Sequence, residues 1–129
     1  MQAKDIMTRD IITVPPTMTI RNLATTLIKN QISGAPVAGK NGKILGVVSE
    51  ADIVAKKGKD VKAIMSKKII SVGEDTAVEE IARLMTMQKI KRVPVMRGER
   101  VVGIVSRADI VSAIAPGEHL AILTPVYDL

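Results

Sequence analysis

A serine followed three residues later by an aspartate occurs twice where a helix is expected to begin, as Ser49-Asp52 and Ser106-Asp109. The first turn of a helix leaves backbone N–H groups unpaired and partly positive, so a serine hydroxyl there can help to bind a phosphate. The aspartate offers two acceptor oxygens of the kind that hold a ribose diol. The same spacing also forms a capping box, in which both side chains only satisfy the helix end. The residues alone therefore leave two interpretations, a nucleotide site and a helix cap.

The two pairs belong to an internal duplication. Residues 46–54 (GVVSEADIV) return as 103–111 (GIVSRADIV), and upstream features of 4–14 return in 62–72. A repeat this short rarely buries its apolar surface alone, so the two copies must pack on each other. We therefore expect equivalent clefts in duplicate, with functional differences where the copies disagree.

The copies disagree where a phosphate would lie. Ser33-Gly34 in the first copy corresponds to Lys91-Arg92 in the second. The planar fork of arginine matches phosphate oxygens, and lysine adds a point charge. We expect the cleft with this basic pair to bind a phosphate tail better, with Arg107 as a candidate to compensate in the other cleft. The alternative is a basic strand edge that only prevents aggregation.

Composition indicates one compact domain. The chain has 129 residues, 47% of them hydrophobic, and Tyr127 is its only aromatic residue. It has no cysteine, which excludes disulfides and thiolate metal sites. No apolar run approaches the roughly 20 residues of a membrane span, and the N-terminus lacks a signal segment. We expect a cytoplasmic protein without membrane contact.

The formal net charge is +6, which suits either a solvated surface or a polyanionic partner. Basic residues surround the linker between the copies and cluster again in the second copy. They are Lys56, Lys57, Lys59, Lys62, Lys67 and Lys68, followed by Lys89, Lys91, Arg92, Arg97 and Arg100. Because aromatic stacking platforms are lacking, we expect nucleic acid binding to be weak at most.

Each copy predicts the same order of elements: strand, helix, strand, strand, helix. The β-branched runs at 11–14 and 69–72 favour short strands or extended segments. Apolar residues at helical spacing from Ile20 to Ile28 form the buried stripe of a helix. In the second copy, Thr76-Glu79 has the form of a capping box and predicts the start of the equivalent helix.

This order, with an Ile-Met pair early in each copy, a Pro-Val strand and a closing Gly-h-h-Ser-x-x-Asp-h-h, resembles the CBS domain of cystathionine β-synthase and many regulatory proteins. The resemblance covers residues 4–114. It implies an α/β (α+β) fold of two pseudo-symmetric β-α-β-β-α repeats packed as one compact module. The repeats would span 1–58 and 59–115, followed by a tail at 116–129. The resemblance implies a free-standing regulatory module that requires no cofactor and binds AMP, ADP, ATP or S-adenosylmethionine.

The resemblance also predicts two clefts, each between the Ser-x-x-Asp of one repeat and the first strand and Pro-Val strand of the other. The first cleft would comprise Thr13, Val14, Met18, Ile32, Ser33, Gly34, Pro36, Ile104, Ser106 and Asp109. The second would comprise Val47, Ser49, Asp52, Ser71, Val72, Thr76, Ile90, Lys91, Arg92 and Pro94. Aliphatic side chains and prolines suit adenine, although Val14, Ile32, Val72 and Ile90 are also typical of an ordinary core. The resemblance favours ribose binding for Asp109 and leaves Asp52 open between ribose binding and capping.

We do not expect an enzyme. His119 is the only histidine and falls in the tail, and the chain has no nucleophile elbow or P-loop. Two-fold symmetry would place Asp52 and Asp109 in separate clefts, so they would not act as paired carboxylates.

Apolar residues at 53–54, 110–111 and 113–114 exceed what each repeat's core needs and predict a homodimer, with 120–123 as a candidate addition. With no effector domain in the sequence, the expected partner is an unidentified effector protein. The alternatives are a ligand-free scaffold, a nucleic-acid-associated module, an enzyme inhibitor that docks without a ligand, and a sensor of S-adenosylmethionine.

Overall fold

Each half of the chain forms a one-turn helix, a longer helix, an antiparallel hairpin and a closing helix in the computed structural model, which describes residues 1–115. The first half contains α1 (Ala3–Ile6), α2 (Ile20–Lys29), β1 (Gly34–Ala38), β2 (Ile44–Ser49) and α3 (Glu50–Ala55). The second half contains α4 (Val61–Ile64), β3 (Val72–Gly73), α5 (Val78–Gln88), β4 (Arg92–Arg97), β5 (Arg100–Ser106) and α6 (Arg107–Ile114). The predicted α/β fold is confirmed. The predicted tail, with His119 and residues 120–123, lies outside the described residues.

The two hairpins have the same register, so equivalent positions pair in the same way in each half. β1 pairs with β2 so that Gly34 lies opposite Ser49, and β4 pairs with β5 so that Arg92 lies opposite Ser106. Since β2 and β5 run directly into α3 and α6, each serine ends a strand and also caps the next helix.

The predicted first strands are very short. In the first half only Val14 pairs, in a parallel bridge to Val37. In the second half, β3 pairs its two residues in parallel with β4. Pro15 and Pro16 follow Val14 and lack an N–H to donate, which explains why the pairing stops there.

The predicted capping box at Thr76 and Glu79 is wrong. Helix α5 begins at Val78, and its N-cap is Ala77, which makes no side-chain bond to the helix. The Thr76 hydroxyl instead accepts from the backbone N–H of Gly73 at 3.0 Å and closes the preceding turn. In the first half Thr19 does cap α2, accepting from the backbone of Asn22, so Ala77 replaces a capping threonine in the second copy.

The two hydrophobic cores are built from both halves of the chain. Val61 and Ile64 of α4 lie in the core of the first half with Leu23, whereas Ala3 and Met7 lie in the core of the second half. The segment that begins each half, called here its lead-in segment, contains α1 in the first half and α4 in the second. Each lead-in segment therefore packs into the core of the other half. This exchange lets two short repeats bury enough apolar surface to form one structural unit.

Candidate ligand-binding cleft

A cavity of about 410 Å³ lies between the two halves, and both contribute to its wall. The first half supplies Ser33, Gly34, Ala35, Pro36, Val47, Val48, Ser49 and Asp52. The second half supplies Ser66, Lys68, Ile70, Ile90, Lys91, Arg92, Pro94 and Ile104. The volume is in the range of small-molecule sites.

Backbone pairing between the halves builds the centre of this cavity. Val47 and Ser66 exchange both backbone hydrogen bonds, at 2.9 and 2.8 Å. The pseudo-symmetric pair, Thr8 and Ile104, does the same at 2.8 and 3.0 Å. The lead-in segment of each half is therefore attached to the middle of the other half's last strand.

The structure gathers most of the predicted second cleft and part of the first around this one cavity. From the second cleft it brings together Val47, Ser49, Asp52, Ile90, Lys91, Arg92 and Pro94, and from the first Ser33, Gly34, Pro36 and Ile104. The hydroxyl-glycine pair and the basic pair, which the sequence assigned to separate clefts, thus line the same space.

The other predicted residues lie outside the wall of this cavity. Thr13 and Ser71 are exposed, Val14 is fully buried in the core, and Met18, Ile32 and Val72 pack against the cores. Thr76 closes the turn before α5, and Ser106 and Asp109 begin α6. Any contact of these residues with a ligand stays a prediction.

Ala35 and Val48, from the hairpin of β1 and β2, line the cavity but were missing from the predicted site, and so were three residues farther along the chain: Ser66, Lys68 and Ile70. These three belong to the lead-in segment that crosses from the second half to β2. Their equivalents in the first copy are Thr8, Asp10 and Ile12. The segment is therefore part of the duplication, and this was the sequence signal that could have indicated a role for it. Its position beside Val47 depends on the exchange, which repeat comparison does not reveal.

Both serine-aspartate pairs form capping boxes. Asp52 Oδ2 accepts from the backbone N–H of Ser49 at 2.9 Å, and the Ser49 hydroxyl accepts from the backbone N–H of Asp52 at 3.4 Å. The corresponding distances for Ser106 and Asp109 are 2.8 and 3.2 Å. The capping interpretation is therefore correct for both pairs, and each carboxylate retains an oxygen that the box does not use.

The Asp52 oxygen that the capping box does not use forms an ion pair with a lysine. Lys56 Nζ lies 2.9 Å from Asp52 Oδ1, and it also donates to the backbone carbonyl of Ile64 at 3.1 Å. The Asp52 side chain is only 16% exposed, compared with 46% for Lys56. Lys56 thus connects the carboxylate in the cleft wall to the end of α4.

Three cations line the cavity around this carboxylate: Lys68, Lys91 and Arg92. Lys68 and Lys91 are exposed, and Arg92 is partly buried. A single carboxylate, that of Asp52, is part of the described wall. The cavity thus combines aliphatic surface with a net positive polar wall, which suits an apolar ring carrying an anionic group.

Two repeats with exchanged lead-in segments and a ligand-sized cleft between them define a tandem-repeat module with a candidate binding site. The sequence model of the CBS domain matches residues 3–58 and 61–116. The chain belongs to the CBS domain family, as the resemblance predicted.

Solved structures of CBS pairs have the same fold. The CBS domain pair of protein MJ0100, in complex with 5-methylthioadenosine and S-adenosyl-L-methionine, is 33% identical with a TM-score of 0.80, covering 88% of this chain and 94% of that chain. CBSX2 in complex with AMP is 27% identical with a TM-score of 0.83, covering 95% of this chain and 98% of that chain.

A curated relative is much longer than this chain. Inosine-5'-monophosphate dehydrogenase of Methanocaldococcus jannaschii is 32% identical over 112 residues, which are 84% of this chain but 23% of that enzyme. The similarity therefore concerns a minor part of the enzyme. Within residues 1–115, no helix is long and apolar enough to cross a membrane.

Proposed function

We propose that this chain is a regulatory module that binds a phosphorylated adenosine compound, AMP, ADP or ATP, in the cleft between its repeats. The observation that carries the proposal is the composition of one cavity wall. Ile70, Ile90 and Ile104 provide an apolar surface for adenine. Asp52 provides an acceptor for the ribose hydroxyls, and the three cations provide partners for phosphate.

The similar CBS pairs support an adenosine ligand, because CBSX2 is in complex with AMP and MJ0100 with 5-methylthioadenosine and S-adenosyl-L-methionine. S-adenosylmethionine is therefore the second candidate for this chain. Its sulfonium carries a positive charge, which Lys68, Lys91 and Arg92 would repel. The charge of the wall favours the phosphorylated ligand.

We also propose that the module acts through assembly and partners rather than through catalysis. Val54 on α3 and Val111 and Ile114 on α6 are 87%, 63% and 72% exposed. Such apolar helix surfaces usually pair through a two-fold axis. A homodimer that changes its shape or its contact with an effector protein when the nucleotide binds is the proposed output, and the cytoplasm is its proposed location.

A nucleic-acid-associated module is the rival that the basic wall raises. Binding dominated by nucleic acid phosphates falls steeply with salt because counterions are released. An adenosine site depends less on salt, since its apolar and ribose contacts survive screening. Tight RNA or DNA binding at physiological salt that survives loss of Lys91 and Arg92 would give this rival priority.

Calorimetric titration of the full chain with AMP, ATP and adenosine tests the proposal. Arg92→Ala should weaken AMP binding about ten-fold to a hundred-fold, as expected for loss of a charge-assisted hydrogen bond. It should change adenosine binding much less, because adenosine has no phosphate. Absence of binding of all three compounds to the wild-type protein at millimolar concentration would contradict the proposed function.

A further inference from the structure

Asp52 is a problem for an anionic ligand. Its carboxylate lines the cavity, and its side chain is only 16% exposed, so water screens its negative charge poorly. A phosphate in the same cavity of about 410 Å³ would be repelled by it. Yet a carboxylate of this kind is a common acceptor for ribose hydroxyls. Binding of a nucleotide therefore requires that the negative charge of Asp52 be offset while its carboxylate stays in the cleft.

Lys56 resolves this conflict by its position. Its Nζ contacts Asp52 Oδ1 at 2.9 Å and is fixed from another side by the carbonyl of Ile64 at 3.1 Å. Lys56 is not among the described residues that line the cavity. Its charge therefore acts on the cleft through the carboxylate. Asp52 Oδ1 retains a second lone pair for a hydroxyl, whereas Oδ2 already accepts from the Ser49 N–H and hydroxyl.

The two repeats can be compared at the positions around Asp52 and Asp109. Asp109 forms the same capping box as Asp52, but Ala113 occupies the position of Lys56. Asp10 stands in place of Lys68, and Ser33-Gly34 in place of Lys91-Arg92. The difference is reversed at one neighbouring position, where the first repeat has the acidic Glu50 and the second has the basic Arg107. Cations thus accompany Asp52 at several positions where the other repeat has none.

We propose that Lys56 is a specificity-determining residue of this cleft, which neutralises Asp52 so that one cavity accepts both the ribose and the phosphate of an anionic adenosine nucleotide. The inference rests on the proposed function and deepens it. Lys56 acts through Asp52 as a positioning residue, and it selects ligands by charge rather than by contact.

Lys56→Met keeps the aliphatic stem and removes the charge. Titration with AMP and with adenosine should show the ratio of their affinities falling about five-fold, as expected for loss of one charge several ångströms away in a partly screened cleft. Lys57→Met is the matched control, because Lys57 is its exposed neighbour on the chain. It should leave the ratio unchanged within about two-fold.

A second pair of variants tests whether Lys56 acts through Asp52. Asp52→Asn removes the negative charge, so adding Lys56→Met to it should change the ratio less than Lys56→Met does in the wild-type background. An equal loss of both ligands in Lys56→Met would mean that Lys56 only holds α3 to α4, and it would overturn this inference alone. A wild-type protein that binds none of AMP, ATP and adenosine would overturn the proposed function and this inference with it.

Discussion

Val47 and Ser66 exchange both backbone hydrogen bonds, although they belong to different repeats. Because of this bridge, the lead-in segment of the second repeat becomes a wall of the cleft formed by the first. The cleft is therefore complete only when the two halves are packed together. A nucleotide in this cleft would contact both repeats, which is a route from binding to a change in their relative arrangement.

Substitution of Gly46 tests how much the Val47–Ser66 bridge contributes to stability. A Cβ added at Gly46 would lie 2.5 Å from the Ser66 carbonyl oxygen, which is backbone and cannot move alone. We expect Gly46→Ala to lower the free energy of unfolding by about 1–3 kcal/mol. The equivalent Gly103→Ala meets Sδ, Cγ and Cβ of buried Met7, at 2.5, 2.8 and 3.1 Å, so it should destabilise the protein as well.

Urea denaturation measures both effects. Gly73→Ala is the control, because its added Cβ meets only the Thr76 hydroxyl, at 3.8 Å. It should be close to neutral. If Gly46→Ala were as stable as Gly73→Ala, the bridge would not constrain the fold as proposed.

Substitution of the capping aspartates separates capping from ligand binding. Asp52→Ala and Asp109→Ala should each lower stability by about 0.5–2 kcal/mol through loss of the cap. Asp52→Ala should in addition weaken every adenosine ligand about ten-fold to a hundred-fold. Asp109→Ala tests the first predicted cleft in the same way.

Asp60→Ala is the matched control, since Asp60 caps α4 by accepting from the Ala63 N–H and is not among the described lining residues. It should lower the melting temperature without affecting affinity. Calorimetry is performed where each variant is folded. Unchanged affinity in both Asp52→Ala and Asp109→Ala would leave capping as their sole role.

The proposed homodimer depends on equivalent valines of the two closing helices. Val54 and Val111 are both largely exposed, and burying either at an interface would contribute about 1.5–3 kcal/mol. We expect sedimentation to show a dimer at micromolar concentration and the double variant Val54→Asp/Val111→Asp to be a monomer. Lys40→Asp, in the turn between β1 and β2, should stay dimeric. A monomeric wild-type protein would contradict the proposal.

Acid should weaken the contact between Glu74 and Arg97. Arg97 donates to both carboxylate oxygens, at 2.7 and 2.8 Å, and these bonds lower the pKa of Glu74 from its ordinary value of 4.5. A lowered folded-state pKa means that the stabilisation is present above the unfolded value and is lost as pH falls through the folded value.

Melting curves between pH 7 and pH 3 measure this loss. Arg97→Gln should show a smaller fall in melting temperature over that range than the wild type, because it has no such contact to lose. Arg100→Gln, which leaves the Glu74–Arg97 contact in place, should behave like the wild type. Equal pH dependence of Arg97→Gln and the wild type would contradict a stabilising role for the contact.

Local patterns in the sequence account for the elements and part of the cleft. The duplicated motif predicted two hairpins, each followed by a helix, and Ser49 and Ser106 cap those helices as their spacing indicated. These features depend on residues within a few positions of each other, where hydrogen bonding and apolar periodicity decide the outcome. The same local reasoning failed at Thr76, because a turn and a helix cap compete for one hydroxyl.

The sequence by itself determined that the chain is a duplicated unit, that its cores are aliphatic, and that a basic pair distinguishes the second copy. Only the tertiary structure decided that α1 and α4 are exchanged between the cores. It also decided that Ser33-Gly34 and Lys91-Arg92 share one cavity with Lys68, and that Lys56 joins Asp52 to the end of α4. The physical reason is that repeat similarity specifies each unit's own pairing, whereas burial of apolar surface between units selects which segment covers which core.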